Sequence, residues 1–172
     1  MAKGLVIGAG PSLYRFNHLE LLAKSDYDGS LLITDRMLKS CIEAGITPDK
    51  FPNYYVFTVE DAWIVDNYLS DVPGCNNMVL IHSSRIKKVL LEKLQNQGYH
   101  VWCDYWPYLD AINNVGLMAF SYGWRKLKLE ELVLIGMDHG TYEKPIFNRN
   151  TENYKEFYRE VNGVLQNPLH QL

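Results

Sequence analysis

The sequence predicts a three-layer, Rossmann-like α/β fold, in which a doubly wound, mostly parallel sheet of about six strands carries helices on both faces. The first observation behind this prediction is a series of short runs rich in aliphatic, β-branched and aromatic residues, typical of buried strands. These runs lie at 5–7, 31–34, 54–59, 78–81, 100–103 and 132–135. The second observation is that stretches with helical spacing of apolar residues separate the runs. These stretches lie at 14–24, 62–69, 85–97, 117–127 and 151–165, with a further one around Ile42. No repeat or linker divides the 172 residues, so we predict one domain spanning 1–172.

Composition and charge narrow the class of protein. Hydrophobic residues make up 47% and charged residues 22% of the chain, as in ordinary globular domains. The formal net charge of −3 argues against a nucleic-acid partner, because non-specific nucleic-acid binding needs a basic surface. Cys41, Cys75 and Cys103 lack the spacing of disulfide or zinc pairs, so we expect a reduced, cytoplasmic protein. No apolar run approaches the roughly 18 residues of a membrane helix, so we expect no membrane span.

The first strand leads into a turn that is suited to an anion. Gly8 and Gly10 allow a tight turn and a close backbone approach. Pro11 and Ser12 suit the first turn of a helix, whose free N–H groups commonly bind phosphate. The dinucleotide fingerprint G-x-G-x-x-G is incomplete, because Leu13 stands at its third glycine position, and this weakens a nicotinamide or flavin interpretation. The alternative is a tight strand–helix turn that binds nothing.

Asp35 follows the second strand directly. In a doubly wound sheet, an acidic residue at this position commonly meets a ribose. The residue is equally suited to cap the helix that runs through Met37, Leu38 and Ile42 and ends at Gly45. Both interpretations stay open.

Polar residues also follow the third and fourth strands. Glu60 and Asp61 come after the third strand, where they can hold a divalent metal or act as a base. Alternatively, Asp61 caps the helix at 62–69. His82 comes after the fourth strand, and it is either a functional acid or base or a rim histidine with satisfied hydrogen bonds.

Two features follow the fifth strand. Aromatic residues crowd the segment 104–110, where they can stack on a base or a sugar ring, or else plug the end of the domain. Asn114 and Gly116 precede the apolar helix at 117–127. They either bind a nucleotide at the start of this helix or simply cap it.

The last strand ends in the run Gly-Met-Asp-His-Gly, which contains Asp138 and His139. The flanking glycines remove side chains that would block a ligand, so we favour a functional site here. Because parallel strands end at one edge of a sheet, Asp138 and His139 should lie in the same cleft as Gly10. The tail at 151–165 is predicted to be a helix, from the stripe formed by Tyr154, Phe157, Tyr158 and Val161.

Four segments carry a resemblance when they are taken together. They are Gly8-Ala9-Gly10-Pro11-Ser12-Leu13, Gly45-Ile46-Thr47-Pro48-Asp49, Asn114-Val115-Gly116 and Gly136-Met137-Asp138. In this order they resemble the domain shared by archaeal 6-hydroxymethylpterin diphosphokinases (MptE-like) and by the motility accessory factor (Maf) glycosyltransferases. The Gly-Pro-Ser-Leu turn is also similar to that of bacterial sialyltransferases that bind a cytidine nucleotide sugar.

The resemblance implies two chemistries. The diphosphokinase branch moves pyrophosphate from ATP with magnesium, and it usually shows Thr-Asp-Leu-Asp-Gly where this chain has Thr58-Val59-Glu60-Asp61-Ala62. That branch also has His-Ala-His-Gly where this chain has Ile81-His82-Ser83-Ser84. Its Thr-Asp-Gly-Asp-Arg run is replaced here by Asn113-Asn114-Val115-Gly116-Leu117, which is similar to the glycosyltransferase branch. The resemblance therefore favours sugar transfer.

The resulting prediction is a cytoplasmic, nucleotide-binding domain that acts as a nucleotide-dependent transferase. Its most specific form is a glycosyltransferase that takes a nucleotide-activated sugar, such as a CMP-nonulosonate, to an unknown acceptor. The predicted roles are donor phosphate binding by Gly8, Gly10, Pro11 and Ser12, nucleotide binding by Asp35, Asn114, Gly116 and Asp138, and deprotonation of the acceptor by Asp61 or His139. The alternative is a pterin diphosphokinase with ATP, in which Glu60, Asp61 and Asp138 hold magnesium. A third interpretation is a nucleotide-binding domain without catalysis.

Overall fold

The structure, a computed structural model, describes residues 1–59, 68–69, 71–75, 77–83, 86–102, 114–138, 140–141, 159–161 and 164–166. The strands are β1 (Lys3–Ile7), β2 (Ser30–Thr34), β3 (Tyr54–Thr58), β4 (Met78–His82), β5 (His100–Trp102), β6 (Glu131–Ile135), β7 (Gly140–Thr141), β8 (Arg159–Val161) and β9 (Val164–Gln166). The helices are α1 (Ser12–Arg15), α2 (His18–Lys24), α3 (Asp35–Glu43), α4 (Lys88–Asn96) and α5 (Val115–Arg125).

A sheet of six parallel strands forms the centre of the fold, in the order β5-β4-β3-β2-β1-β6. The predicted position of β1 inside the sheet is confirmed, since it pairs with β2 on one side and with β6 on the other. This position explains its apolar sequence, because Val6 and Ile7 are fully buried on opposite faces.

The sheet is doubly wound, as the alternation of strands and helices predicts. Leu13, Leu22 and Leu38, from α1, α2 and α3, pack on the face that carries Ile7 and Ile33. The opposite face belongs to α5. There Met118, Ala119 and Tyr122 pack against Val6, Leu32 and Phe57. Two apolar layers therefore enclose the sheet.

The winding places a switch point between β1 and β6, and we call the carboxyl ends of these two strands, with the segments that follow them, the crevice. From β1 the chain proceeds through β2, β3 and β4 to β5, and it then returns to the far side of β1 to form β6. The strand order thus reverses between β1 and β6, and ligands of open α/β sheets bind at the carboxyl ends of strands at such a switch point.

Two helix predictions were wrong. The predicted helix at 14–24 is divided into α1 and α2, because Asn17 adopts a left-handed conformation with φ of 52°. The helix predicted at 151–165 is contradicted at 159–161 and 164–165, which lie in the antiparallel strands β8 and β9, while 151–158 and 162–163 lie outside the described residues. The helix predicted at 62–69 is described only at Tyr68 and Leu69, which are helical, and the aromatic segment 104–110 lies outside the described residues.

No helix in the described part of the chain combines the length and the apolar character that a membrane crossing requires.

Candidate functional site

Backbone hydrogen bonds join the turn after β1 to the end of β6. The N–H of Gly8 donates to the carbonyl of Ile135 at 2.9 Å, and the N–H of Gly10 donates to the carbonyl of Gly136 at 2.7 Å. These glycines let the two backbones approach each other, because a Cβ on Gly8 would lie 2.5 Å from the Gly136 oxygen. Gly136 itself has φ of +64°, a conformation that favours glycine. The glycines therefore allow two backbone segments to pack closely at the crevice. The N–H groups of Gly8 and Gly10 already have acceptors.

Asp138 lies against the start of α1. Its Oδ1 accepts a hydrogen bond from the Ser12 hydroxyl at 2.7 Å, and its Oδ2 accepts one from the Ser12 N–H at 3.1 Å. A Cβ on Gly10 would collide with this carboxylate, so the glycine provides the space that Asp138 fills. Asp138 and Gly10 are therefore neighbours although they are far apart in sequence, while His139, which was expected beside them, lies outside the described residues. The carboxylate occupies the position at Ser12 where a phosphate was expected.

The start of α5 lies beside the same turn. Asn114 caps this helix, since its side-chain oxygen accepts from the N–H of Leu117 at 3.0 Å. The Met137 side chain fills the space beside Gly116 and also reaches the position of a Cβ on Gly8. Among the described residues, no acceptor is bonded to the N–H groups of Val115 and Gly116. The first turn of α5 thus contains two N–H groups of the kind that can receive an anion, although Gly116 is buried against Met137.

Asp35 lies at the carboxyl end of β2 and begins α3. Its side chain is only 2% exposed, and its Oδ1 accepts from the Arg36 N–H at 2.7 Å. Thr34 holds the N-cap position that Asp35 was predicted to take, and its hydroxyl donates to the Ile7 carbonyl at 3.1 Å. Asp35 therefore places a carboxyl group at the expected edge of the sheet, but this group is closed to solvent.

Three predicted site residues cannot be placed. Glu60, Asp61 and His139 lie outside the described residues, so no distance relates them to Asp138 or Ser12. Within the described ranges, no group of three His, Cys, Asp or Glu side chains gathers to hold a metal ion.

Sequence reasoning missed two features of this edge. Met137 was passed over as an apolar residue between glycines, although its side chain links the turn after β1 to α5. Thr58 was also missed, and it is fully buried beside His82, which is 3% exposed rather than at a rim. The signal for Thr58 is a polar residue at the end of an otherwise aromatic and β-branched strand.

Comparison with known proteins supports the resemblance. A family model described as "6-hydroxymethylpterin diphosphokinase MptE-like" matches residues 2–144. This match covers β1 to β6, including every described residue of the crevice. No curated protein and no solved structure matches the sequence. The match does not separate the diphosphokinases from the Maf glycosyltransferases, but it spans most of the sequence, and the chain therefore belongs to the MptE-like family.

Proposed function

We propose that this chain is a nucleotide-dependent transferase that binds its nucleotide in the crevice between β1 and β6. The carrying observation is the Ser12–Asp138 pair, an exposed carboxylate held at 2.7 Å and 3.1 Å at the topological switch point. The start of α5 lies beside it, linked through Met137. A carboxylate lies beside helical N–H groups that have no acceptor in the described part of the chain, and these match the two kinds of polar group on a nucleotide.

The geometry supports a division of roles within the crevice. Each oxygen of Asp138 already accepts one hydrogen bond from Ser12, and each retains a lone pair. We assign these lone pairs to donors on the nucleotide, which are ribose hydroxyls or a base amino group. We assign the phosphate to the N–H groups of Val115 and Gly116 at the start of α5. A phosphate at Ser12 itself would first have to displace Asp138.

We further propose that the transferred group is a sugar and that the donor resembles a CMP-nonulosonate. In this reaction an acceptor hydroxyl attacks the anomeric carbon, the bond from that carbon to the phosphate oxygen breaks, and the nucleotide leaves. Asp61 or His139 takes the proton of the acceptor. The resemblance of the Asn114-Val115-Gly116 run to the glycosyltransferase branch supports this choice. The three cysteines, which lack disulfide spacing, support a cytoplasmic site of action.

The second candidate is a pterin diphosphokinase, which the description of the matching family favours. In that enzyme Glu60, Asp61 and Asp138 would hold magnesium, and the metal would neutralise the phosphates of ATP. Asp138 would contribute to such a site through the lone pairs that its hydrogen bonds from Ser12 leave. The third candidate, a domain that binds nucleotide without catalysis, predicts affinity without turnover.

A thermal-shift panel of CMP, CDP, UDP, GDP, ATP and NAD, with and without magnesium, separates these candidates. A ligand present at about 100 times its Kd should add about 2.7 kcal/mol of stability. We expect CMP to raise the Tm without magnesium. A shift that occurs only with ATP and magnesium would favour the diphosphokinase, and no shift with any nucleotide would contradict the proposal.

A further inference from the structure

The end of α1 carries an exposed aromatic ring next to the crevice. Phe16 directly follows the last helical residue of α1, and its side chain is 53% exposed. The Arg15 guanidinium lies over this ring at 5.3 Å from its centroid. The His18 ring lies beside it, with the two ring centroids 5.6 Å apart and the planes inclined by 32°. The ring is thus supported by two neighbours and still leaves about half of its surface open to a ligand.

The helical geometry of α1 places this ring on the side of Ser12. The N–H of Phe16 donates to the carbonyl of Ser12 at 3.1 Å, so the two residues are separated by one helical turn, about 5.4 Å along the axis. Side chains at positions i and i+4 lie on the same face of a helix and lean towards its N-terminus. The Phe16 ring is therefore directed back towards the start of α1, where Asp138 accepts from Ser12.

The starts of α1 and α5 lie on either side of one short segment. Met137 and Asp138 are consecutive, and Asp138 contacts Ser12 while Met137 reaches α5. The Met137 sulfur lies 2.5 Å from the Cβ position of Gly8 and 2.6 Å from that of Gly116. The helix start to which the phosphate is assigned is therefore within a few ångströms of the turn that leads into α1, and one nucleotide can contact both.

The groups already assigned in the crevice leave the base of the nucleotide without a binding surface. The N–H groups at the start of α5 are assigned to the phosphate, and the lone pairs of Asp138 bind hydroxyl or amino donors. The flat face of a base instead needs a stacking partner, and aromatic rings and arginine guanidinium groups both provide one. Arg15 and Phe16 offer these two surfaces together, one turn beyond Ser12.

We propose that Arg15 and Phe16 form the base subsite of the crevice, an inference that rests on the proposed nucleotide-dependent function. The base, which is cytosine in CMP, stacks on the open surface of this pair. The ribose then lies at Asp138 and the phosphate at the start of α5. The subsite thus assigns the lone pairs of Asp138 to ribose hydroxyls rather than to a base amino group.

The test compares CMP with ribose 5-phosphate, which lacks a base, by titration calorimetry. Phe16→Leu keeps an exposed apolar side chain but removes the ring. We expect it to weaken CMP binding by about tenfold, because base–aromatic stacking is lost, and to leave the affinity for ribose 5-phosphate unchanged. Phe16→Trp should retain the affinity for CMP, since the indole also presents a flat aromatic face.

Tyr14→Leu is the matched control. Tyr14 is an aromatic residue of the same helix with a similar exposed fraction, 58%. It lies two positions after Ser12, about 200° around the helix, and so on the opposite side from Phe16. The affinity of Tyr14→Leu for CMP should equal that of wild type.

The outcomes separate this inference from the function on which it rests. If wild type binds CMP and Phe16→Leu binds it equally well, the subsite is wrong and the proposed function stands. An equal loss of affinity in Tyr14→Leu would also overturn the subsite. If wild type binds neither CMP nor ATP with magnesium, the proposed function fails and the subsite fails with it.

Nuclear Overhauser effects locate the base without reference to affinity. In the complex of wild type with CMP, the H5 and H6 protons of cytosine should show Overhauser effects to the ring protons of Phe16. Effects to other aromatic rings alone would overturn the inference.

Discussion

The carboxylate of Asp138 determines what the turn after β1 can bind. Because it takes both the N–H and the hydroxyl of Ser12, the turn is an anion site that the chain itself has filled. Sequence reasoning singled out Gly10, Ser12 and Asp138, which the structure brings into contact, but it treated them as separate contacts to a ligand. Their mutual hydrogen bonds could not be predicted, since they depend on how closely β6 approaches β1.

Replacement of Asp138 distinguishes the two roles of this site. We expect Asp138→Ala to weaken CMP binding by about tenfold, equivalent to about 1.4 kcal/mol, because the nucleotide loses an acceptor for its ribose or base. Asp138→Asn keeps one acceptor oxygen and should lose less. Isothermal titration of both variants checks this order. Tighter binding by Asp138→Ala would contradict it, since it would mean that phosphate competes with the carboxylate for Ser12.

Alanine substitutions at Gly10 and Gly45 test whether packing in the crevice affects nucleotide binding, with Gly45 as the control outside the crevice. A Cβ at Gly10 would press on the Asp138 carboxylate and lie 2.8 Å from the Gly136 oxygen, so Gly10→Ala should cost about 1–3 kcal/mol and reduce CMP affinity. Gly45 has φ of +85° and open space around it, so Gly45→Ala should cost about 1 kcal/mol and leave affinity unchanged. Urea unfolding and titration calorimetry measure the two effects. If Gly10→Ala and Gly45→Ala lost CMP affinity equally, the effect of Gly10→Ala would not arise from packing in the crevice.

At the scale of elements, the break between α1 and α2 shows where periodicity misleads. Apolar residues at helical spacing predicted one helix at 14–24, yet Phe16 is 53% exposed while Leu13, Leu19 and Leu22 are buried. The left-handed Asn17 re-aims the chain so that both short helices bury their leucines. A short window cannot reveal such a break, because asparagine is tolerated both in a helix and in the left-handed region.

Replacement of Asn17 tests the break. Asn17→Gly should leave the free energy of unfolding unchanged or slightly higher, because glycine adopts φ of 52° without strain. Asn17→Ala should lower it by about 1 kcal/mol, because its Cβ meets the following carbonyl oxygen. Urea titration followed by circular dichroism measures both. A more stable Asn17→Ala variant would indicate one continuous helix in solution.

The sequence of the tail contains an indication of a β-hairpin, which the helical spacing of its apolar residues obscured. Val161 pairs with Val164, so β8 and β9 are joined by Asn162-Gly163. Asn-Gly between β-branched residues is the strongest short-range indication of a two-residue hairpin. The helix prediction rested on four apolar side chains at helical spacing and did not consider this dipeptide, and it is wrong at 159–161 and 164–165.

At the scale of the whole molecule, the fold was predictable because each strand of the central sheet is a nearly unbroken apolar run. Leu5-Val6-Ile7 and Leu31-Leu32-Ile33 are buried on both faces, which only an interior parallel strand with helices on each side requires. The predicted common edge follows from that topology alone. The contacts within the edge did not follow, because the approach of Asp138 to Ser12 and of Met137 to Gly116 depends on register and packing.

Burial of Cys41 makes the stability of the whole fold sensitive to alkaline pH. Burial raises the pKa of this thiol from 9.0 to about 12. Between about pH 9 and 12 the Cys41 thiol loses its proton in the unfolded chain and keeps it in the folded chain. The contribution of this thiol to stability is therefore fully present below about pH 9 and falls as pH rises towards 12. The slope from this group is at most about 1.4 kcal/mol per pH unit.

Urea unfolding at a series of pH values measures this slope, and Cys41→Ala is the control. The variant should be less stable near neutral pH, because it leaves a small cavity, but its stability should fall less steeply above pH 9. An identical slope in both proteins would contradict the assignment to Cys41.

The central claim, that a nucleotide occupies the crevice at the switch point of the sheet, is tested most directly by a ¹H–¹⁵N titration of the chain with CMP. We predict that amide resonances of Ser12, Val115, Gly116 and Asp138 move together with one Kd. The amides of Gly45 and Gly98, which end helices away from the crevice, should stay fixed. Shifts confined to another surface, or no shifts with CMP or with ATP and magnesium, would contradict the account.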